Sequence, residues 1–309
     1  MFLSTSVYAD IVKPFFGYWH QSPAGVRATM DHTNVVFIQA ANPEQPLEEI
    51  AALHPTAKIL FQFTALDMTF ECDWNKCMTF NLHRVNEILN AVEQHVIKPY
   101  RNRLAAFLIA DEPETNPLTT VALQQLVNAI RSRPAFDGIP LWINYDNVFP
   151  EYTNAEFSLT QGIDWISITP SYASEWSDLA PDFRYEFLLN FASKQNPKPK
   201  FVLVGDGWSK YRKDSEIDGS LSETGRFHLD KIEKLYNHVI AITNSYQIPI
   251  VGVIPFSWSF PGPNTLGTSH ELVKNKWREF AINFIGGTNP VPVPVEISVP
   301  TPALPKCVP

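Results

Sequence analysis

The chain has 309 residues, 45% of them apolar and 18% charged, which suits a large core in one domain or in two smaller ones. A net charge of −8 argues against nucleic acid or an anionic membrane as the main partner. No apolar run approaches the roughly 20 residues that a membrane-spanning helix needs.

Val7-Tyr8-Ala9 resembles the small-x-small pattern that precedes signal-peptide cleavage, so the protein is expected to be secreted or periplasmic. The first strand-like run is Phe15–Trp19, followed by a short helix over Ser22–Met30. Strand Asn34–Ala40 leads to helix Pro46–Leu53, and strand Lys58–Phe63 to a polar loop. In that loop Cys72 and Cys77 flank Asp73-Trp74-Asn75-Lys76. In an exported protein they close a small disulfide loop; otherwise they are two reduced thiols, with Cys307 unpaired. Two cysteines without a second ligand pair fall short of a zinc site. Helix Phe80–Lys98 follows, with Leu82, Val85, Leu89, Val92 and Val96 on one stripe.

Strand Leu104–Glu112 runs into Ala110-Asp111-Glu112-Pro113, two adjacent carboxylates at the break of an apolar run. Helix Pro117–Arg131 places a proline at its first position. Strand Pro140–Tyr145, helix Asn154–Leu159, strand Asp164–Ser171 and helix Pro181–Lys194 come next. Strand Lys200–Trp208, helix Arg226–Tyr246, strand Ile248–Trp258 and helix Ser269–Phe284 complete the series. From Gly286 a Pro-rich tail reads as an extended arm or linker.

Most of the strands are short Val-, Ile- and Phe-rich runs with little alternation, as in a parallel sheet covered on both faces. Eight strand–helix pairs predict an α/β fold, a single (β/α)8 TIM barrel over residues 10–285, with the tail over 286–309. An open doubly wound sheet is the competing architecture, but strand one leads into Tyr18-Trp19-His20-Gln21-Ser22 and not a glycine-rich turn.

Barrel active sites form at the C-terminal strand ends. Taken in order, those ends supply Tyr18, Trp19 and His20, then Gln39 and Asn42, Gln62 and Asp67, Asp111 and Glu112, then Asn144, Tyr145 and Asp146, and Ser171, Tyr172, Glu175 and Trp176. Strand seven supplies Asp206 and Trp208, and strand eight Ser257 and Trp258. Aromatic faces and paired amides or carboxylates suit the apolar C–H faces and hydroxyl rims of sugars. The ends lack the paired histidines of a zinc hydrolase and a glycine-rich phosphate cradle. Uninterrupted alternation would put Ala106, Leu108, Ala110 and Glu112 on the inner face of strand four, with Phe107, Ile109 and Asp111 on the outer face. Val202, Val204 and Asp206 likewise share a face of strand seven.

Asp111-Glu112-Pro113 resembles the Asn-Glu motif, often followed by Pro, that ends strand four in the clan A glycoside hydrolases. The resemblance implies a general acid/base at Glu112 and a sugar 2-hydroxyl contact at Asp111. It also implies a sugar floor at Trp258, and at Tyr172 an aromatic that touches the nucleophile. The chain departs from the clan at strand seven, where Val204-Gly205-Asp206-Gly207-Trp208 contains no Glu. Asp206 is then the nearest second carboxylate, with Glu175 as the other candidate. The expected function is cleavage of a β-linked poly- or oligosaccharide by Glu112 and Asp206. Trp19, Asp111, Asn144, Tyr172, Glu175, Trp208 and Trp258 would hold substrate. No metal or organic cofactor is expected, and the protein is expected to be a monomer. Two alternatives stay open: a non-catalytic carbohydrate-binding barrel, and a hydrolase with a metal at Asp111, Glu112 and Asp206, for which oxygen ligands suit Mg or Ca.

Overall fold

A computed structural model describes residues 14–19, 22–39, 46–62, 82–111, 113, 117–145, 159–168, 180–204, 239–255 and 271–286. The strands are β1 (Phe15–Phe16), β2 (Val35–Gln39), β3 (Lys58–Gln62), β4 (Leu104–Asp111), β5 (Leu141–Tyr145), β6 (Trp165–Ile168), β7 (Lys200–Leu203) and β8 (Ile250–Val253). The α-helices of seven or more residues with described bounds are α1 (Pro23–Thr29), α2 (Leu47–Leu53), α3 (Leu82–Val92), α4 (Pro117–Arg131), α5 (Ala180–Ser193) and α6 (Glu271–Ile285). Residues 239–245 are also helical, within the predicted 226–246 helix. The tail from residue 287, the cysteine loop and all of the 154–159 helix but Leu159 lie outside the described residues.

All eight strands are parallel, in the order β1-β8-β7-β6-β5-β4-β3-β2. With the helices between them, this is a nearly closed (β/α)8 barrel. The β1–β2 seam is joined chiefly through one side chain. Asn34 Oδ1 accepts from Phe16 N at 2.7 Å, Asn34 Nδ2 donates to Pro14 O at 3.1 Å, and Asn34 N donates to Phe16 O at 3.0 Å. A glycine is required beside the seam, because a Cβ on Gly17 would stand 2.5 Å from Val35 O. On the other side β1 continues along β8, with Gly17 N bonded to Val253 O and Trp19 N to Pro255 O.

Two apolar layers follow from strand alternation. Inside the barrel, Phe37, Leu60, Leu108, Trp142, Trp165 and Val202 form a packed column. Outside it, residues such as Val36, Phe107, Ile143 and Phe201 meet the helices. The stripe on α3 behaves as its spacing predicts: Val85, Leu89, Val92 and, just beyond it, Val96 are buried. Ser22 caps α1 by accepting from Gly25 N, with Pro23 in its first turn.

Candidate functional site

The inner face of the barrel changes character along its length. Above the apolar column, the C-terminal ends of five consecutive strands carry Gln39, Gln62, Asp111, Asn144 and Ser167, each in phase with an inward apolar residue below it. Gln62, Asn144 and Ser167 are buried, Gln39 is half-buried and Asp111 is exposed at the mouth.

Asp111 faces inward because β4 is irregular. The β4–β5 register pairs Leu108 with Trp142, then Ala110 with Ile143 and Asp111 with Asn144, so Ile109 is an extra residue. Such a bulge reverses the parity of everything beyond it. Ala110 accordingly packs with the outer layer and Asp111 turns into the mouth, opposite to the uninterrupted alternation expected from the sequence. The inward placement of Ala106 and Leu108, before the bulge, is as expected. The parity argument for Glu112 does not carry through the bulge.

A directed hydrogen-bond chain ends at Asp111. Trp142 Nε1 donates to Ser167 Oγ at 2.7 Å, Ser167 Oγ donates to Asn144 Oδ1 at 2.6 Å, and Asn144 Nδ2 donates to Asp111 Oδ1 at 2.8 Å. Gln62 Nε2 reaches the second oxygen, Oδ2, at 3.4 Å. Amide nitrogens thus approach both oxygens of the carboxyl group. Asn144 therefore lies beneath Asp111, with its oxygen and its nitrogen both engaged by the protein. Tyr145, one residue on, turns outward. Burial pushes its phenol well above the ordinary range, partly offset by a hydrogen bond with Thr160.

Trp19 tops the apolar column: it is 1% exposed, stacks on Phe37 at 4.3 Å and meets Trp142 edge-on at 5.6 Å. Its ring supports the floor of the mouth from within. Glu112, Tyr172, Glu175, Asp206, Trp208 and Trp258 lie outside the described residues. Ser167 and Trp142 were absent from the expected site. Their signal was present in Trp165-Ile-Ser-Ile168, where a serine takes an inward position between two outward isoleucines.

The opposite end of the barrel is built differently. A surface cleft of about 320 Å³ lies at the N-terminal ends of β5, β6 and β7, beside Arg131, Asp164, Lys198 and Lys200. Its one carboxylate is consumed structurally, since Asp164 pairs with Arg131 and accepts from Leu141 N at 2.8 Å. This is the end of a barrel that serves stability, so the polar mouth is the candidate site. Among the described residues, no three His, Cys, Asp or Glu side chains cluster in a way that could hold a metal. Among the same residues, no helix is long and apolar enough to cross a membrane.

No family model matches the chain, and no curated protein matches it in sequence. Solved structures do match in backbone. A GH113 β-1,4-mannanase aligns with a TM-score of 0.54 at 11% identity, over 90% of this chain and 100% of that one. Xylanase XynB from Paenibacillus barcinonensis aligns with a TM-score of 0.51 at 11% identity, over 86% of this chain and 95% of that one. A structure of fungal β-1,4-galactanases aligns with a TM-score of 0.52 at 13% identity, over 85% and 94%. The barrel resembles the clan A glycoside hydrolases in fold. Of the strand-four motif, Asp111 and Pro113 are described, and Asp111 faces the mouth.

Proposed function

We propose that the protein is a glycoside hydrolase that cleaves a β-linked poly- or oligosaccharide at the C-terminal mouth of its barrel. The observation that carries this reading is the inward polar band centred on Asp111, one residue before Glu112. Glu112 would protonate the glycosidic oxygen, and Asp206 would attack the anomeric carbon or activate water. Aromatic side chains at Tyr172, Trp208 and Trp258 would hold the sugar rings, with Glu175 at the rim. The aligned structures act on β-1,4-mannan, xylan and β-1,4-galactan, so β-1,4-linked chains are the first substrates to try. The exported character suggested by Val7-Tyr8-Ala9 suits a polymeric substrate met outside the cell. Aspartate is one methylene shorter than the clan's glutamate. A gap of about 6.5–9.5 Å between the carboxyl groups would give inversion, and one of about 5–5.5 Å retention.

The absence of a Glu in Gly205-Asp206-Gly207-Trp208 favours one second reading, a barrel that binds carbohydrate without cleaving it. Reducing-end release from β-1,4-mannan, xylan and galactan, measured beside binding to the same polymers, separates the two. Hydrolysis of at least one polymer supports the enzyme. Binding without hydrolysis overturns the enzyme in favour of the lectin-like barrel, and neither binding nor hydrolysis overturns both.

A further inference from the structure

We infer that Asn144 and Ser167 are positioning residues that fix the Asp111 carboxylate as an oriented hydrogen-bond acceptor at the mouth. The functional part of this inference rests on the proposal that the mouth receives a sugar; its structural part does not.

The polarity of the chain is decided at its buried end. An indole N–H only donates, so Ser167 Oγ must accept from Trp142, at 2.7 Å. The serine hydroxyl then has its own proton for Asn144 Oδ1, at 2.6 Å. That bond sets which way the Asn144 amide faces and leaves Nδ2 to donate to Asp111 Oδ1, at 2.8 Å. Trp142, Asn144 and Ser167 are each at most 1% exposed, so packing holds all three in place. Gln62 Nε2 on the other oxygen, Oδ2, sets the plane of the carboxylate. Asp111 thus offers acceptor character to whatever enters, and it favours a hydroxyl or amine that can donate over an ether or carbonyl that cannot.

A purely structural role accounts poorly for this chain. The inward positions one layer below, Leu108 and Trp165 among them, fill the barrel with apolar groups. Buried polar groups demand hydrogen-bond partners, and apolar residues would fill the same space without that demand. Among the described residues the chain leads to an exposed carboxylate at the strand end where barrel chemistry is done.

The substrate-free test follows the Trp142 indole ¹H–¹⁵N resonance through an acid titration. In the wild type it moves with one protonation step, and that step disappears in Asp111→Asn and in Ser167→Ala. An indole resonance that does not titrate in the wild type, or that titrates unchanged in Asp111→Asn, overturns the inference. Asp111 is exposed, so Asp111→Asn decides this arm even if Ser167→Ala fails to fold. A second arm uses whichever β-1,4-linked polymer the wild type cleaves. There Ser167→Ala lowers kcat/KM about tenfold or more, Ser167→Thr restores most of it, and the Ser167→Ala effect vanishes in an Asp111→Asn background. An equal loss in both backgrounds contradicts the positioning role. Failure of every polymer defeats the proposed function alone, since the indole arm still decides the chain.

Discussion

His32 sits in a relay that shows how single residues couple this fold to pH. Its Nδ1–H donates to Asp31 at 2.5 Å, its Nε2 accepts from Tyr18 O–H at 3.0 Å, and Arg278 holds the far oxygen of Asp31 at 2.6 Å. Burial lowers the His32 pKa below its ordinary 6.5, against the opposing pull of Asp31, and burial lowers His54 in the same way. Burial alone would raise Asp31, but hydrogen bonds from Arg278 and His32 hold it below its ordinary 3.8. In each case the folded state binds fewer protons than the unfolded one, so acid favours unfolding. The histidine contributions are complete above about pH 6.5 and are lost as pH falls through the folded pKa; the Asp31 contribution is lost further down. Chemical denaturation from pH 5 to 8 should show stability falling below about pH 6.5, with a slope smaller by up to about 1.4 kcal/mol per pH unit in His32→Gln. A wild-type profile that is flat across this range would refute the relay as a stability determinant. The same scale explains a misplacement. Composition and spacing placed Asp111 at the right strand end. Its facing depended on whether one residue, Ile109, is skipped in the ladder, and backbone pairing decides that with no side-chain pattern to betray it.

At the scale of elements, the barrel depends on how its first and last strands meet. β1 has only two ladder residues, and the β1–β2 seam relies on Asn34 and on the close approach at Gly17. Gly17→Ala forces a methyl group against Val35 and should cost about 1–3 kcal/mol in urea unfolding. A cost within error would mean that the seam is loose enough to yield. Arg103 makes a comparable tie farther round the same N-terminal end of the barrel. Its guanidinium donates to Ala57 O, Ala51 O and His54 O at 3.0, 2.8 and 2.7 Å, closing the carbonyl end of α2 just before β4 begins. Arg103→Ala should cost about 2 kcal/mol by the same measurement, whereas Arg103→Lys should recover only part of it, because an ammonium cannot span three carbonyls as a planar fork does. Full recovery with lysine would show that charge, not geometry, is what matters. These ties were not legible in advance. The strands and α4 were, since each is a continuous apolar run or a 3.6-residue stripe. The side-chain contacts of Asn34 span 18 and 20 residues and those of Arg103 span 46 or more, and local spacing carries no trace of them.

At the scale of the molecule, polarity divides the barrel into an apolar shaft and a polar mouth, with the structural ion pair Arg131–Asp164 at the far end. That division was readable in the sequence because parallel strands buried on both faces turn polar only where the sheet ends. The chemistry now turns on Glu112. A general acid contributes about 10²–10⁴-fold to rate, and its isosteric amide keeps shape while losing the proton. The most direct measurement is steady-state hydrolysis of a cleaved β-1,4-linked polymer by the wild type and by Glu112→Gln. The account predicts kcat lower by about 10² or more with KM changed less than about threefold. A Glu112→Gln variant that cleaves at the wild-type rate would contradict it.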